Sequence, residues 1–209
     1  PYYTMELLVG EDLAHAIASG ALPVRASVEA VRHVAQALSF AHGKGVLHRD
    51  VKPQNIFLRR ESPRLVLDAP TVARAGLGAR GRGEEVHALL LDFGLAKLVE
   101  EEFSPGGMGS TRRARSVQTL TQTGQILGTP AYMSPEQALG AHEVDGRADV
   151  YSLGAALYHA LCGRPPFDAA TLADLLEAVR REDPVPPRRR NRDVDADLET
   201  ICLKCLQKA

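Results

Sequence analysis

The stretch Val46-Leu47-His48-Arg49-Asp50-Val51-Lys52-Pro53-Gln54-Asn55 constrains this chain more than any other. It crowds a carboxylate, an ammonium and an amide into one short loop and runs at once into the apolar Ile56-Phe57-Leu58. Upstream, residues 24–42 carry apolar side chains at Val28, Val31, Val34, Ala35 and Leu38, the spacing of an amphipathic helix, closed by Gly43 and Gly45. Downstream, Leu89-Leu90-Leu91-Asp92-Phe93-Gly94 reads as an apolar strand ending in a second carboxylate and a glycine.

Phosphoryl transfer needs a base to orient a hydroxyl, a cation for the γ-phosphate and oxygen ligands for Mg²⁺. Asp50 suits the first role, Lys52 the second, and Asn55 with Asp92 the third. HRDVKPQN followed by DFG resembles the catalytic loop and metal-binding motif of the eukaryotic-type protein kinases. Lys52 followed by Pro53 is similar to their serine/threonine branch. Further on, Gly128-Thr129-Pro130-Ala131-Tyr132-Met133-Ser134-Pro135-Glu136 resembles the substrate-docking loop and Ala-Pro-Glu motif, with Ser134 in place of Ala. With Thr121-Gln122-Thr123 before it, the chain looks most like the bacterial serine/threonine kinases, over nearly its whole length.

That resemblance implies an α/β fold of the α+β kind: a mainly helical C-terminal lobe with a hinge and short catalytic strands, most of the N-terminal lobe lying outside the chain. Residues 1–209 would be a partial kinase domain, with a hinge over 1–10, a catalytic core over 24–58, a flexible insertion at about 60–85, an activation segment over 92–136 and a helical subdomain over 145–209. The implied reaction moves the γ-phosphoryl group of ATP to Ser or Thr of proteins, with ATP and Mg²⁺ (or Mn²⁺) as cofactors. Asp50, Lys52 and Asn55 would be catalytic, and Asn55 and Asp92 would hold the metal. Met5 would be the gatekeeper, the backbone of Glu6 and Leu8 would bond adenine, Asp12 would meet the ribose, and Phe57 would lie under the base. Lys52, Asn55 and Asp92 complete the implied ATP site. Glu136 and Asp149 take structural roles, Asp149 by accepting backbone N–H groups of the catalytic loop. Thr121 and Thr123 are the expected phosphorylation sites, with Arg49 receiving the phosphate, while Thr129 is expected to contact Asp50 and Lys52. A homodimer would permit phosphorylation in trans.

Composition excludes several other classes. In 209 residues, 25 Lys and Arg almost balance 26 Asp and Glu, which argues for neither nucleic acid nor an anionic membrane as partner. Three cysteines, Cys162, Cys202 and Cys205, make no disulfide framework and fit a reducing compartment. Cys202 and Cys205 form a C-x-x-C without a second pair and lie in an apolar helical pattern, so packed core is expected rather than zinc. The longest apolar stretch, 150–162, is too short for a membrane span and reads as a buried helix. No signal peptide is visible at Pro1, so the segment is expected to be soluble and cytoplasmic, an anchor outside it being left open.

The remaining segments are read more coarsely. Residues 2–8 form a strand-like run ended by Gly10, and residues 11–18 a short helix stopped by Gly20 and Pro23. His48 reads as a packed histidine rather than a catalytic one. The interval from Asn55 to Asp92 far exceeds the dozen or so residues that two short strands and a turn need. Its excess contains Gly76-Leu77-Gly78-Ala79-Arg80-Gly81, a G-x-G-x-x-G match read as a decoy because it follows the catalytic loop. A flexible segment over 103–118 carries the basic run Arg112-Arg113-Ala114-Arg115, read as a solvated face. Helices are expected from Asp145 through the apolar 150–162 stretch and over 171–181 and 198–207, with Arg188-Arg189-Arg190 exposed between the last two.

Several kinase parts are not in this sequence: the glycine-rich loop, the strand lysine, its helix glutamate partner and the arginine that pairs with Glu136. The segment alone is therefore expected to bind nucleotide poorly, while the parent protein transfers phosphate. The alternative, from a different class, is a non-catalytic kinase-like scaffold or truncated pseudokinase. A small-molecule kinase is a weaker third reading, against which GTPAYMSPE speaks.

Overall fold

The structure, a computed structural model, describes residues 8–20, 22–59, 87–92, 130–141 and 144–208. The expected insertion at 60–85, with its G-x-G-x-x-G match, lies outside the described residues, as do Met5, Glu6, the basic run 112–115, Thr121, Thr123 and Thr129. The described elements are β1 (Gly10–Asp12), α1 (Leu13–Ala18), α2 (Val24–His42), β2 (Ile56–Arg59), β3 (His87–Leu90), α3 (Pro135–Ala138), α4 (Gly146–Cys162), α5 (Leu172–Arg181) and α6 (Ala196–Cys205). Short 3₁₀ turns occupy Pro53–Asn55, Pro130–Tyr132 and Pro187–Arg189.

The three strands form one antiparallel sheet in the order β1-β2-β3. Glu11 lies opposite Leu58, and Phe57 sits between Asp12 on one side and Leu89 on the other. Gly10 opens β1, the strand-like run expected before it lying outside the described residues up to residue 7, and no other residue type fits at Gly10. Its φ is +154°, and a Cβ on it would stand 2.1 Å from the Leu58 carbonyl oxygen. Because Glu11 and Asp12 are committed to strand pairing, α1 begins at Leu13, two residues later than the sequence reading. Asp12 caps it by accepting the His15 N–H at 2.8 Å.

α2 spans the residues its periodicity indicates, but the buried face is set by Ser27, Ala30, Val34, Leu38 and Ala41. Val28 and Val31 are half-buried at the edge of that face, and Ala35 points to solvent, one step of about 100° round the helix from Val34. The small residues of the buried face let α2 pack closely on α4.

α4 is the helix on which both halves of the core are built. One cluster takes its Tyr151, Ala155, Leu157, Tyr158 and Leu161 together with Tyr132, Val194, Leu198, Cys202 and Leu206. The other takes its Leu153 and Ala156 together with Leu13, Ala16, Val34, Leu38, Val51 and Ile56. A helix buried on both faces must be apolar nearly all round, which is why 150–162 is the longest apolar stretch of the chain, interrupted by Ser152, Gly154 and His159. Asp145 caps its start and Gly163, at φ 70°, ends it in the left-handed conformation. None of the described helices is long and apolar enough to cross a membrane.

α6 starts two residues before the expected 198, because Asp195 caps it through the Leu198 N–H at 2.7 Å. Both cysteines of the C-x-x-C pack on α4. Cys202 is fully buried with Sγ 3.8 Å from the Gly154 carbonyl oxygen. Burial raises all three thiols, Cys162 to about 11, which keeps them protonated and poor metal ligands. A Cβ placed on Gly154 would lie 2.5 Å from Cys205 Cβ. Gly154→Ala is therefore expected to force α4 and α6 apart at a cost of about 1–3 kcal/mol. Thermal melting should show a fall on the order of 5 °C. An unchanged midpoint would mean α6 is free to shift.

Candidate active site

The site begins where α2 stops. Gly45, at φ 75°, turns the chain after His42, and the Val46 N–H bonds back to the Ala41 carbonyl at 3.0 Å. From there the loop runs without regular structure to the Pro53–Asn55 turn and straight into β2.

Such a loop keeps its shape only if its polar backbone groups find partners. Asp149, in the first turn of α4 and 1% exposed, takes two adjacent backbone N–H groups of the loop. Its Oδ2 accepts the His48 N–H at 2.9 Å and its Oδ1 accepts the Arg49 N–H at 2.7 Å. The His42 Nε2–H also donates to Oδ2, at 2.8 Å. One buried carboxylate thus joins the end of α2, the loop and the start of α4.

His48 is fully buried and works on the other side. Its Nε2–H donates to the Leu91 carbonyl at 2.9 Å, and its Nδ1 accepts the Asp50 N–H at 3.3 Å, which fixes the neutral Nε2–H tautomer. Leu91 in turn donates its N–H to the Asn55 carbonyl at 2.8 Å. With both peptide groups of Leu91 tied to the loop, Asp92 is delivered beside it, exposed and at φ 56°. Phe93 and Gly94 lie outside the described residues.

The charges meet at Asp50. Lys52 Nζ sits 2.7 Å from Asp50 Oδ2, and Asn55 Nδ2 donates to the same oxygen at 3.1 Å and to the Asp50 carbonyl at 2.8 Å. Among the described residues nothing bonds to Asp50 Oδ1, and about half of the Asp50 side chain is open to solvent (53%). Asn55, buried at 8% exposure, spends Nδ2 on Asp50 and has Oδ1 as its remaining side-chain acceptor.

Of the other candidate residues, Phe57 is half-buried at the centre of the sheet beside Gly10, and Leu8 is half-buried just before β1. Asp12 spends Oδ1 on capping α1. Glu136 makes no ion pair within 4 Å among the described residues, and its charge bears on Tyr151 and weakly on Arg147. Arg49 has φ 66° and carries a guanidinium with no ion pair among the described residues.

The segment 130–138 is held to this assembly. Tyr132 donates its hydroxyl proton to His159 Nδ1 on α4 and stacks on that ring at 5.9 Å. Burial raises the Tyr132 hydroxyl to about 12 and lowers His159, so both are neutral as this bond requires. Ser134, fully buried, caps α3 in a reciprocal capping box with Gln137. Gln137 Nε2 then donates to the Arg49 carbonyl at 2.9 Å.

A loop that joins a carboxylate, a lysine and a buried amide, with a second acid delivered by the neighbouring strand, has the residue types that phosphoryl transfer calls for. The family model described as the protein kinase domain matches residues 1–209. The chain belongs to the protein kinase family. Among curated relatives, this kinase chain is 35% identical over 211 residues to the serine/threonine-protein kinase PknB of Mycolicibacterium smegmatis, covering 100% of the chain and 27% of the relative. It is 38% identical over 208 residues to the serine/threonine-protein kinase Pkn1 of Myxococcus xanthus, covering 100% of the chain and 25% of the relative. The kinase chain thus spans about a quarter of the length of these relatives, and its place is with the bacterial serine/threonine kinases. Among solved structures it shares the fold of Rad53 1–466 in complex with AMP-PNP, with TM-score 0.65, 23% identity, and coverage of 98% of this chain and 41% of that one.

Sequence reasoning missed three residues of this assembly. His42 shows no motif of its own. The Tyr132–His159 bond joins segments far apart in the chain. Gln137 alone had a readable signal, the S-x-x-Q of a capping box at Ser134, though nothing in it points to Arg49.

Proposed function

We propose that the full protein transfers the γ-phosphoryl group of ATP to serine or threonine hydroxyls of proteins, in the cytoplasm, and that a homodimer serves phosphorylation in trans. The observation that carries this reading is the state of Asp50. Lys52 and Asn55 hold Oδ2, so the carboxylate is fixed in orientation while Oδ1 is left to accept a hydroxyl proton. Lys52 lies close enough to Asp50 to stabilise charge on a phosphoryl group arriving over it.

The residues also fit a divalent cation. Mg²⁺ takes oxygen ligands, commonly one or two carboxylates completed by phosphate oxygens and water. Asn55 Oδ1 and the exposed Asp92 carboxylate are such a set, and the His48–Leu91–Asn55 bonds hold their backbones in register. When bound, Mg²⁺ or Mn²⁺ would neutralise charge between the β- and γ-phosphates. The AMP-PNP held by the Rad53 structure supports ATP as the nucleotide; Phe57 and Leu8 are this chain's candidates for the adenine and Asp12 its candidate for the ribose. Arg49, with its guanidinium unpaired among the described residues, is the proposed receiver of phosphate on Thr121 or Thr123. The gathering of Asp50, Lys52 and Asn55 on one loop, with Asp92 following Leu91 beside it, supports a catalytic reading over a non-catalytic scaffold.

The test is phosphorylation of protein Ser/Thr by the purified full-length protein with ATP and Mg²⁺. Asp92→Asn should lower turnover by at least about 10²-fold and raise the Mg²⁺ concentration needed for half-maximal rate. Wild-type turnover at unchanged Mg²⁺ dependence in that variant would remove Asp92 from the metal site.

A further inference from the structure

We propose that Gln137 is a positioning residue that clamps the substrate-docking segment to the catalytic loop through the carbonyl of Arg49; this rests on the kinase reading above. Arg49 directly precedes the proposed base Asp50 and is held at φ 66°, a left-handed conformation that is strained for a non-glycine residue. Such a residue stays put only where its surroundings over-determine it. Its N–H is fixed by Asp149 Oδ1 at 2.7 Å, and its carbonyl by Gln137 Nε2 at 2.9 Å. That carbonyl belongs to the peptide unit that sets the direction of the chain into Asp50.

The other end of the Gln137 amide is equally committed. Oε1 accepts the Ser134 N–H at 3.1 Å and the Ser134 hydroxyl at 3.2 Å, while the Gln137 N–H returns to Ser134 Oγ at 3.4 Å. Ser134 is fully buried and follows the Pro130–Tyr132 turn, itself pinned to α4 by the Tyr132–His159 bond. The amide therefore spans from a rigid docking segment to the one strained peptide next to the base. Only an amide does this: one end must accept from Ser134 and the other must donate to Arg49. The link needs no phosphate on Thr121 or Thr123, so it sets the catalytic loop independently of Arg49's guanidinium.

This requirement separates the clamp from an ordinary helix cap. At the third position of a capping box, Glu serves as well as Gln. As a clamp, Glu fails, because it sets a carboxylate oxygen against the Arg49 carbonyl where an N–H stood. The experiment is steady-state kinetics of full-length Gln137→Glu and Gln137→Met, beside wild type and Asp50→Asn, with nucleotide affinity and melting temperature measured on each. The expected result is a fall in kcat of about ten-fold or more in both Gln137 variants, in line with the cost of slight misplacement of a reacting group. Nucleotide affinity should stay within about two-fold and the melting temperature of the Glu variant within a few degrees of wild type. Wild-type kcat in Gln137→Glu would overturn the clamp and leave a cap. So would a loss of kcat that only follows loss of nucleotide affinity or of folded protein in both variants. If wild type and Asp50→Asn transfer phosphate equally, it is the kinase reading that fails, whatever Gln137 does.

Discussion

Replacing Asp149 with alanine is expected to lower the melting temperature of the kinase domain by roughly 6–12 °C and to abolish turnover. The side chain is 1% exposed and accepts from His48 N–H, Arg49 N–H and His42 Nε2. Alanine leaves the His48 and Arg49 donors buried or half-buried without an acceptor, at about 1–3 kcal/mol each. It also frees Arg49 to leave its strained conformation, so the loop that presents Asp50 loses its shape together with the stability. Asp149→Asn should recover only part of the loss, because its amide brings an N–H against one of the donors it must satisfy. Calorimetry of the full-length protein, following the kinase-domain transition, checks this. A midpoint within about 2 °C of wild type for the alanine variant would show that the loop is held by something else.

How much of this was open to reading from the sequence differs from one element to the next. α2 could be placed residue by residue, because its apolar spacing and the glycines after it act locally. α4 was visible as a buried helix because it faces two cores and has no polar side to hide. Boundaries set by a partner strand or a cap escaped: α1 starts late because Glu11 and Asp12 pair with β2, and α6 starts early because Asp195 caps it. In the site, the side chains that cluster on one short loop were legible, since Asp50, Lys52 and Asn55 meet within a few residues. Asp149 could be assigned only through resemblance, for its partners lie about a hundred positions away. The long-range roles of Gln137 and His159 were not seen, the capping-box spacing marking Gln137 as a helix cap alone. Their partners are a backbone carbonyl and a tyrosine hydroxyl on distant segments, and neither leaves a pattern in composition or period.

The most direct effect on the chemical step, with the fold left intact, is expected at Asp50. The Asp50→Asn side chain keeps the shape of the carboxylate and can still face Lys52 and Asn55, but it cannot take a proton from a hydroxyl. Turnover should fall by at least about 10²-fold, the range typical of losing a general base or its orienting function. Nucleotide binding should change little, because Asn55 and Asp92 are untouched and the Asn55–Asp50 carbonyl bond persists. The most direct measurement is radiolabelled phosphate transfer from ATP to protein Ser/Thr by full-length wild type and Asp50→Asn, with nucleotide affinity taken by calorimetry on the same preparations. The expected outcome is transfer by wild type, loss of at least about 10²-fold in the variant, and affinities within about two-fold of each other. Equal transfer by the two proteins would contradict the assignment of Asp50 as the group that orients the hydroxyl.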